Sequence, residues 1–193
     1  MTPLSRSFYA RDGRAVAPEL LNKVVARDGG WMARIVEVEA YAGTEDPGSH
    51  AFRGRTPRNA TMFGPAGHLY VYFTYGMHFC ANVVCGEDGV ASAVLLRGLT
   101  PIAGLGRMRA LRPKARTDRE LCAGPGRLCQ ALGLDRTFDG ADLVTGDGGV
   151  TVVDDGTPPP AAPAVSVRVG LTTGVELPWR FYVPGAVGLS RRG

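Results

Sequence analysis

Glu39 and Tyr41 have the types and spacing most suggestive of chemistry. They lie two residues apart in the alternating segment RIVEVEAY, so an extended strand would carry both on one face, about 6.6 Å apart. The alternation predicts a core face with Val36, Val38 and Ala40, and an opposite face with Ile35, Glu37, Glu39 and Tyr41. A carboxylate beside an aromatic ring is typical of a site, although solvent-facing strands also carry Glu, and Glu37 is interpreted in that way. Neighbours on one strand fit a glycosidase pair poorly, because such pairs flank a cleft.

A cluster of aromatic residues lies further along, in HLYVYFTYG. Alternation directs Tyr70 and Tyr72 one way and Phe73 and Tyr75 the other. One set can belong to the core, and planar rings that face a cavity can instead hold a nucleobase. Tyr75 precedes Gly76 at a predicted turn, where a protruding wedge is more natural than a core tyrosine.

Basic residues are unevenly distributed along the chain. The loop FRGRTPRN carries Arg53, Arg55 and Arg58 without an acidic residue, and Arg127 follows Gly-Pro-Gly at a predicted helix start. Guanidinium groups and helix N-termini both suit phosphate. From position 97 to 127 eight basic residues face two acidic ones, although the whole chain is only +4. A solvated surface explains the same pattern equally well.

The elements that must position these residues are mainly strands. HLYVYFTYG, FCANVVC and VASAVLLR read as three consecutive strands, and Asp28-Gly29-Gly30 predicts a hairpin before RIVEVEAY. A turn centred on Met77 would set Tyr72 opposite Asn82. The next turn would place Arg97 on the same face of the sheet as Asn82. AVSVRVG and WRFYV are predicted to be closing strands. The long Gly- and Pro-rich stretch between Ala42 and His68 is typical of a functional loop.

Helices are predicted from apolar spacing and from proline. One opens at Pro18 and reaches the Val24-Val25 pair, which could equally begin a strand. Another covers Pro101 to Leu111, and a third opens at Pro125 and ends near Gly133.

Composition limits the class of protein. The 193 residues, 45% hydrophobic and 21% charged, fit one soluble domain. The sequence lacks a secretory signal and any apolar run of the roughly 18 residues that a membrane span needs, which predicts a cytoplasmic location. Four cysteines and three histidines show no zinc spacing, so no metal is expected. Only two lysines are present, so Schiff-base chemistry has few candidate residues.

Five segments together resemble the alkyladenine (methylpurine) DNA glycosylase family. They are RIVEVEAY, EDPGSHAFRGRTPRN, MFGPAGHLYVYFTYGMHFCANVV, VLLRGLTP and LCAGPGRLCQALGL, in family order from about Pro18 to Val183. The resemblance implies an α/β (α+β) fold, with one domain over residues 1–193 and a curved, mainly antiparallel sheet surrounded by helices. Asn22 and Ala42 depart from the family pattern at positions that bear on packing or pocket shape.

The resemblance also implies roles for individual residues. Glu39 resembles the base that activates water, and Arg97 the residue that helps to hold nucleotide and water. The base pocket is formed by Tyr41, His50 and Tyr72 as walls, the backbone near Gly48, and Asn82, which crowds the 2-amino group of guanine. Tyr75 is similar to the wedge that fills the vacated stack. Phosphate contacts are expected from Arg53, Arg55, Arg58 and Arg127.

The implied activity is base excision from double-stranded DNA that contains alkylated or deaminated purines. Without a lysine in the matched pocket motifs, the expectation is hydrolysis to an abasic site without strand cleavage. No cofactor and no membrane is implied, and a monomer is the default. Two alternatives remain, a non-catalytic damage-binding protein of the same fold and a small-molecule nucleosidase.

Overall fold

The structure is a computed structural model that describes residues 1–74 and 76–191. Over this part of the chain nine strands form one antiparallel sheet, in the order β1-β7-β2-β3-β6-β5-β4, with β9 added to β3 and β8 to β9. The strands are β1 (Thr2–Pro3), β2 (Val24–Arg27), β3 (Trp31–Tyr41), β4 (Leu69–Thr74), β5 (His78–Val84), β6 (Ala93–Ala103), β7 (Val150–Asp154), β8 (Ala164–Ser166) and β9 (Arg180–Tyr182). The helices among these residues are α1 (Arg6–Tyr9), α2 (Gly13–Leu20), α3 (Leu105–Leu111), α4 (Asp118–Leu121) and α5 (Pro125–Leu132). The predicted α+β class with a curved antiparallel sheet is confirmed.

Strand β3 is the central strand, and a bulge changes its predicted facing. Its pairing with β6 passes from Ile35–Leu99 to Glu37–Gly98 and then to Val38–Leu96, so Val36 and Arg97 are skipped. The extra residue moves Ile35 into the main core with Val38, whereas strict alternation set the two on opposite faces. Bulges are a common means of redirecting a side chain next to a site.

The three predicted strands β4, β5 and β6 are confirmed, but their register differs. Tyr72 lies opposite Cys80, and Asn82 lies opposite Tyr70 on one side and Leu95 on the other. The predicted pairing of Tyr72 with Asn82 is therefore wrong by two positions. A shift of two residues preserves the facing of a side chain, so the shared sheet face survives the error.

Helix starts were predicted less well than strands. Helix α2 begins after Asp12, whose carboxylate accepts a hydrogen bond from the Arg14 amide at 2.7 Å, and Pro18 lies inside the helix instead of opening it. Asn22 has a φ of +69°, a left-handed conformation that favours glycine and ends the helical segment, so Val24 begins a strand. The predicted helix from Pro101 begins only at Leu105, because pairing with β3 extends β6 to Ala103.

The other predicted elements agree with the structure in part. Helix α5 opens at Pro125 and ends at Leu132, and the capping residue Gly133 has a left-handed conformation. Arg27 pairs with Trp31 across the predicted hairpin. The closing strands are shorter than predicted, β8 ending at Ser166. None of the helices in residues 1–74 and 76–191 is long and apolar enough to cross a membrane.

Two apolar clusters among the described residues hold the elements of the site together. The main core packs between the sheet and helices α2 and α5. A smaller cluster contains Ala51, Met62 and Tyr70, with Tyr41 and Tyr72 packed against it. It anchors the long loop between Ala42 and His68 to the sheet, so residues of that loop reach the same place as residues of β3, β4 and β5.

Candidate active site

A cavity of about 310 Å³ lies where the long loop, the sheet and the start of α5 meet. Residues of the loop, of β3 to β6, of α5 and of the segment after β8 line it: Tyr41, Gly48, Ser49, His50, Met62, Tyr70, Tyr72, Thr74, Cys80, Asn82, Leu95, Arg97, Pro125, Val169, Gly170 and Leu171. Six residues predicted for the site, Tyr41, Gly48, His50, Tyr72, Asn82 and Arg97, are among them. Such a volume is at the lower end of small-molecule sites.

Glu39 lies directly behind this lining and is fully buried. Its Oε2 accepts hydrogen bonds from the Tyr41 hydroxyl at 3.0 Å and from Arg97 Nη1 at 3.3 Å, and its Oε1 accepts from the Val169 amide at 2.7 Å. All three partners line the cavity. Burial raises the pKa of Glu39, and the Arg97 cation and the hydrogen bonds from Val169 and Tyr41 oppose that shift. Burial and these partners therefore act on the Glu39 carboxyl group in opposite directions, and burial is the larger effect.

Aromatic rings form one side of the cavity. The rings of His50 and Tyr72 meet edge to face with centroids 4.4 Å apart, and Tyr70 and Tyr72 lie 5.4 Å apart with planes tilted by 32°. His50 Nδ1 lies 3.3 Å from the Tyr70 hydroxyl. Desolvation, with the Arg58 cation as a smaller cause, lowers the pKa of His50, and burial raises the pKa of Tyr70 to about 12. These side chains are therefore neutral at physiological pH.

Asn82 and Gly48 contribute polar atoms to the cavity. Asn82 is buried, and its amide donates to the Tyr70 carbonyl at 3.2 Å. The Gly48 amide donates to Asp46 at 2.9 Å. A Cβ at Gly48 would lie 2.8 Å from both Arg168 Nη2 and Leu171 Cδ1, so this close approach of loop and segment requires glycine.

Glu37 is not the solvent-exposed residue that the alternation predicted, and that interpretation is wrong. It is fully buried, and Arg180 of β9 and Ser190 of the C-terminal segment contact its carboxylate. Its Oε1 accepts from Arg97 Nε at 3.1 Å and Arg180 Nε at 2.7 Å, and Ser190 donates to both of its oxygens. Glu37 thus binds Arg97 through Nε, whereas Glu39 binds the same side chain through Nη1.

The predicted phosphate-binding arginines differ in their surroundings. Arg53 and Arg55 are exposed, whereas Arg58 donates to the Phe73 carbonyl at 2.8 Å and stands close enough to His50 to affect its pKa. Arg127 is exposed in the first turn of α5, next to Pro125 of the cavity wall. The predicted wedge residue Tyr75 lies outside the described residues.

Sequence reasoning missed the segment after β8 and its partner in the long loop. Val169, Gly170 and Leu171 line the cavity, and Arg168 forms an ion pair with Asp46 in which both side chains are fully buried. The available signal was one arginine inside the otherwise uncharged segment AVSVRVG. A single charge in an apolar alternating stretch requires a buried partner or an exposed face.

An antiparallel α+β domain whose sheet carries a ring-lined cavity, with a buried carboxylate behind it, is typical of an enzyme that binds a planar base and acts on its attachment. Residues 7–187 match the family model "Methylpurine-DNA glycosylase (MPG)". The chain belongs to this family of DNA glycosylases, enzymes that hydrolyse N-glycosyl bonds.

Relatives extend over nearly the whole chain. A protein of Burkholderia lata is 57% identical over 182 residues, which cover 94% of this chain and 88% of the relative. A protein of Streptomyces avermitilis is 52% identical over 190 residues (94% and 88%), and one of Carboxydothermus hydrogenoformans is 45% identical over 193 residues (98% and 99%). All three carry the name "Putative 3-methyladenine DNA glycosylase".

Proposed function

We propose that the protein excises alkylated or deaminated purines from double-stranded DNA by hydrolysing the N-glycosidic bond of a flipped nucleotide. The observation that carries this proposal is the pair formed by the ring-lined cavity and the Glu39 carboxylate behind it. A base inside a duplex shields its sugar carbon from attack, so the nucleotide must leave the stack, which costs a few kcal/mol. Stacking on aromatic walls returns about 1–3 kcal/mol per base, and we propose Tyr75 as the wedge that fills the gap.

Glu39 is proposed to accept a proton from the attacking water. Cleavage develops positive charge on the sugar, and a nearby anion stabilises that charge as well as removing the proton. The raised pKa of Glu39, caused by burial, makes its carboxylate a stronger base than an exposed glutamate. Arg97 and the Val169 amide hold the two oxygens in place, and Arg97 is proposed to contact the nucleotide and the water.

The lining suggests which purines are accepted. Neutral, electron-rich rings favour a cationic base, such as a purine alkylated at N3 or N7, which also leaves easily. Asn82 is fixed by its hydrogen bond to Tyr70, so we propose that it crowds the 2-amino group of guanine. Among the candidate substrates are 3-methyladenine, 7-methylguanine, hypoxanthine and ethenoadenine, and a set of single-lesion duplexes would rank them.

The product is proposed to be an unbroken strand with an abasic site. Strand cleavage by β-elimination needs an amine that can form a Schiff base. Lys23 is bound to Asp154 at 2.6 Å and Lys114 is exposed, and neither lines the cavity. The product strand should therefore stay intact until it is treated with alkali.

The test is Glu39→Gln on a duplex with one alkylated purine, with Glu176→Gln, at an exposed position, as the matched control. We expect the control to release free base at the normal rate, and Glu39→Gln to bind the duplex while its release rate falls by a factor of about 10² to 10⁴. Near-normal release by Glu39→Gln refutes its role as the base.

Salt dependence separates the remaining alternatives. If the exposed arginines Arg53, Arg55, Arg58 and Arg127 contact phosphates, affinity for duplex falls steeply as salt rises, and each removed contact lowers the salt slope by about 1. A nucleosidase would bind its substrate with little salt dependence. A damage-binding protein without catalysis would show the salt dependence but release no base.

A further inference from the structure

Arg168 and Asp46 join three separate parts of the chain next to the cavity. Arg168 Nη1 donates to the Ala40 carbonyl of β3 at 3.0 Å and to Asp46 Oδ2 at 2.5 Å, and its Nη2 donates to Asp46 Oδ1 at 2.7 Å and to the Gly174 carbonyl at 3.3 Å. Asp46 in turn accepts from the amides of Ala42 and Gly48. The pair therefore fastens the long loop and the segment after β8 to the end of β3.

The same arginine supports a wall of the cavity. Its guanidinium lies 4.6 Å from the centroid of the Tyr41 ring and 5.1 Å from that of Trp179. Tyr41 lines the cavity and Arg168 does not, so the cation lies on the side of the ring that faces away from it. A planar guanidinium fits this position because it can stack and form its hydrogen bonds at the same time.

Arg168 also determines where the next residue lies. Val169 follows it directly, and the Val169 amide donates to Glu39 Oε1 at 2.7 Å. Each bond that holds Arg168 to Ala40 and Asp46 therefore limits how far this amide can move from the carboxylate. A shift of about 1 Å in such a contact can lower a rate by about 10²-fold.

We propose that Asp46 and Arg168 are positioning residues for the reaction. They hold the Val169 amide against Glu39, and they support the Tyr41 ring on its rear face. This inference rests on the proposed function and assigns a role in the reaction to two residues that do not line the cavity. The groups that face Glu39 from the surrounding elements are Arg97 of β6, Cys80 of β5, Arg180 of β9, Glu37 and Tyr41 of its own strand, and the Val169 amide.

The test uses Arg168→Lys, which keeps the charge, and Asp46→Asn, which keeps one acceptor oxygen. Asp155→Asn is the matched control, because Asp155 also binds both terminal nitrogens of an arginine, Arg34 of β3. Arg34 lies seven residues from Tyr41, about 23 Å along the strand. Single-turnover release of base from a duplex with one alkylated purine is followed as a function of pH, together with affinity for the duplex and thermal unfolding.

For both site variants we expect the rate on the plateau of the pH–rate profile to fall about tenfold. The acid limb of the profile, where the rate falls at low pH, should move to higher pH, while the affinity for the duplex changes less than about threefold. The limb moves because the Val169 hydrogen bond is one of the contacts that lower the pKa of Glu39. The control should keep both the rate and the limb of the wild-type protein.

A purely structural role predicts a different result. The rate would then fall only in proportion to the folded fraction, and the acid limb would not move, which would overturn the inference. If Asp46→Asn does not fold, Arg168→Lys decides alone, because it retains a cation beside Asp46. A wild-type protein that releases no base contradicts the proposed function itself, whereas normal release with an unmoved limb in the variants contradicts only the positioning role.

Discussion

Replacing Glu37 by glutamine should strongly destabilise the protein. Four hydrogen bonds converge on this buried carboxylate, from Arg97, from Arg180 and from the amide and hydroxyl of Ser190. Both arginines are themselves buried. Three of these bonds end on Oε1 and the Ser190 amide bond ends on Oε2. Glutamine has one acceptor oxygen and no charge, so at least the bond from the Ser190 amide is lost and the two cations are no longer neutralised.

The expected effect follows from what remains buried. Removing one partner of a buried ion pair costs about 3–5 kcal/mol, because the other charge is left uncompensated. Glutamine retains one acceptor, so the lower end, about 3 kcal/mol in the free energy of unfolding, applies to Glu37→Gln. For a domain of this length the melting temperature changes by about 2–4 °C per kcal/mol, which gives a fall of about 6–12 °C.

Calorimetry and urea unfolding of Glu37→Gln measure this effect directly. Glu176→Gln, at an exposed glutamate, is the matched control and should change the free energy of unfolding by less than about 0.5 kcal/mol. A loss below about 1 kcal/mol for Glu37→Gln, the size of an ordinary hydrogen bond, would refute the view that Glu37 neutralises Arg97 and Arg180.

Three further outcomes are expected. Since burial raises the pKa of Glu39 and a base works when deprotonated, the single-turnover rate should fall as pH drops through a midpoint above the ordinary glutamate value of about 4.3; a pH profile that is flat down to that value contradicts this. All four cysteines are buried, so a thiol reagent should label the native protein hardly at all and four thiols after denaturation; rapid native labelling would contradict the burial. Because Asn22 has a φ of +69° and donates to the Pro158 carbonyl, Asn22→Ala should lower the free energy of unfolding by about 1–2 kcal/mol in urea titrations, while an unchanged midpoint would show that the position is unstrained.

The sequence predicts the sheet and the cavity walls because alternate residues of a strand point to opposite faces. The register of β4 on β5 was predicted two positions away from the observed Tyr72–Cys80 pair, yet Tyr72 and Asn82 still reach one cavity. An error of two leaves facing unchanged, whereas an error of one would have reversed it.

The bulge and the buried charges were beyond sequence reasoning for a different reason. Alternation assumes a regular strand, and the register shift at Val36 breaks it. Whether Glu37 is exposed depends on β9, and this strand (Arg180–Tyr182) lies far from Glu37 in the sequence. The same holds for Asp46, whose partner Arg168 is 122 residues away. Local patterns carry no information about which distant segment covers a strand.

The buried charges around the cavity explain why Glu39, and not Glu37, is suited to be the base. Glu37 binds two arginines and both donors of Ser190, and Asp46 binds Arg168 through both of its oxygens. Among the described residues, Glu39 is hydrogen-bonded to one cation, Arg97 at 3.3 Å, and shares it with Glu37. The negative charge of Glu39 is therefore the least compensated of the three, and burial raises the pKa of this carboxyl group. A carboxylate neutralised as completely as Glu37 would have little charge left to stabilise a developing cation, so the unequal sharing of Arg97 separates a structural glutamate from a reactive one.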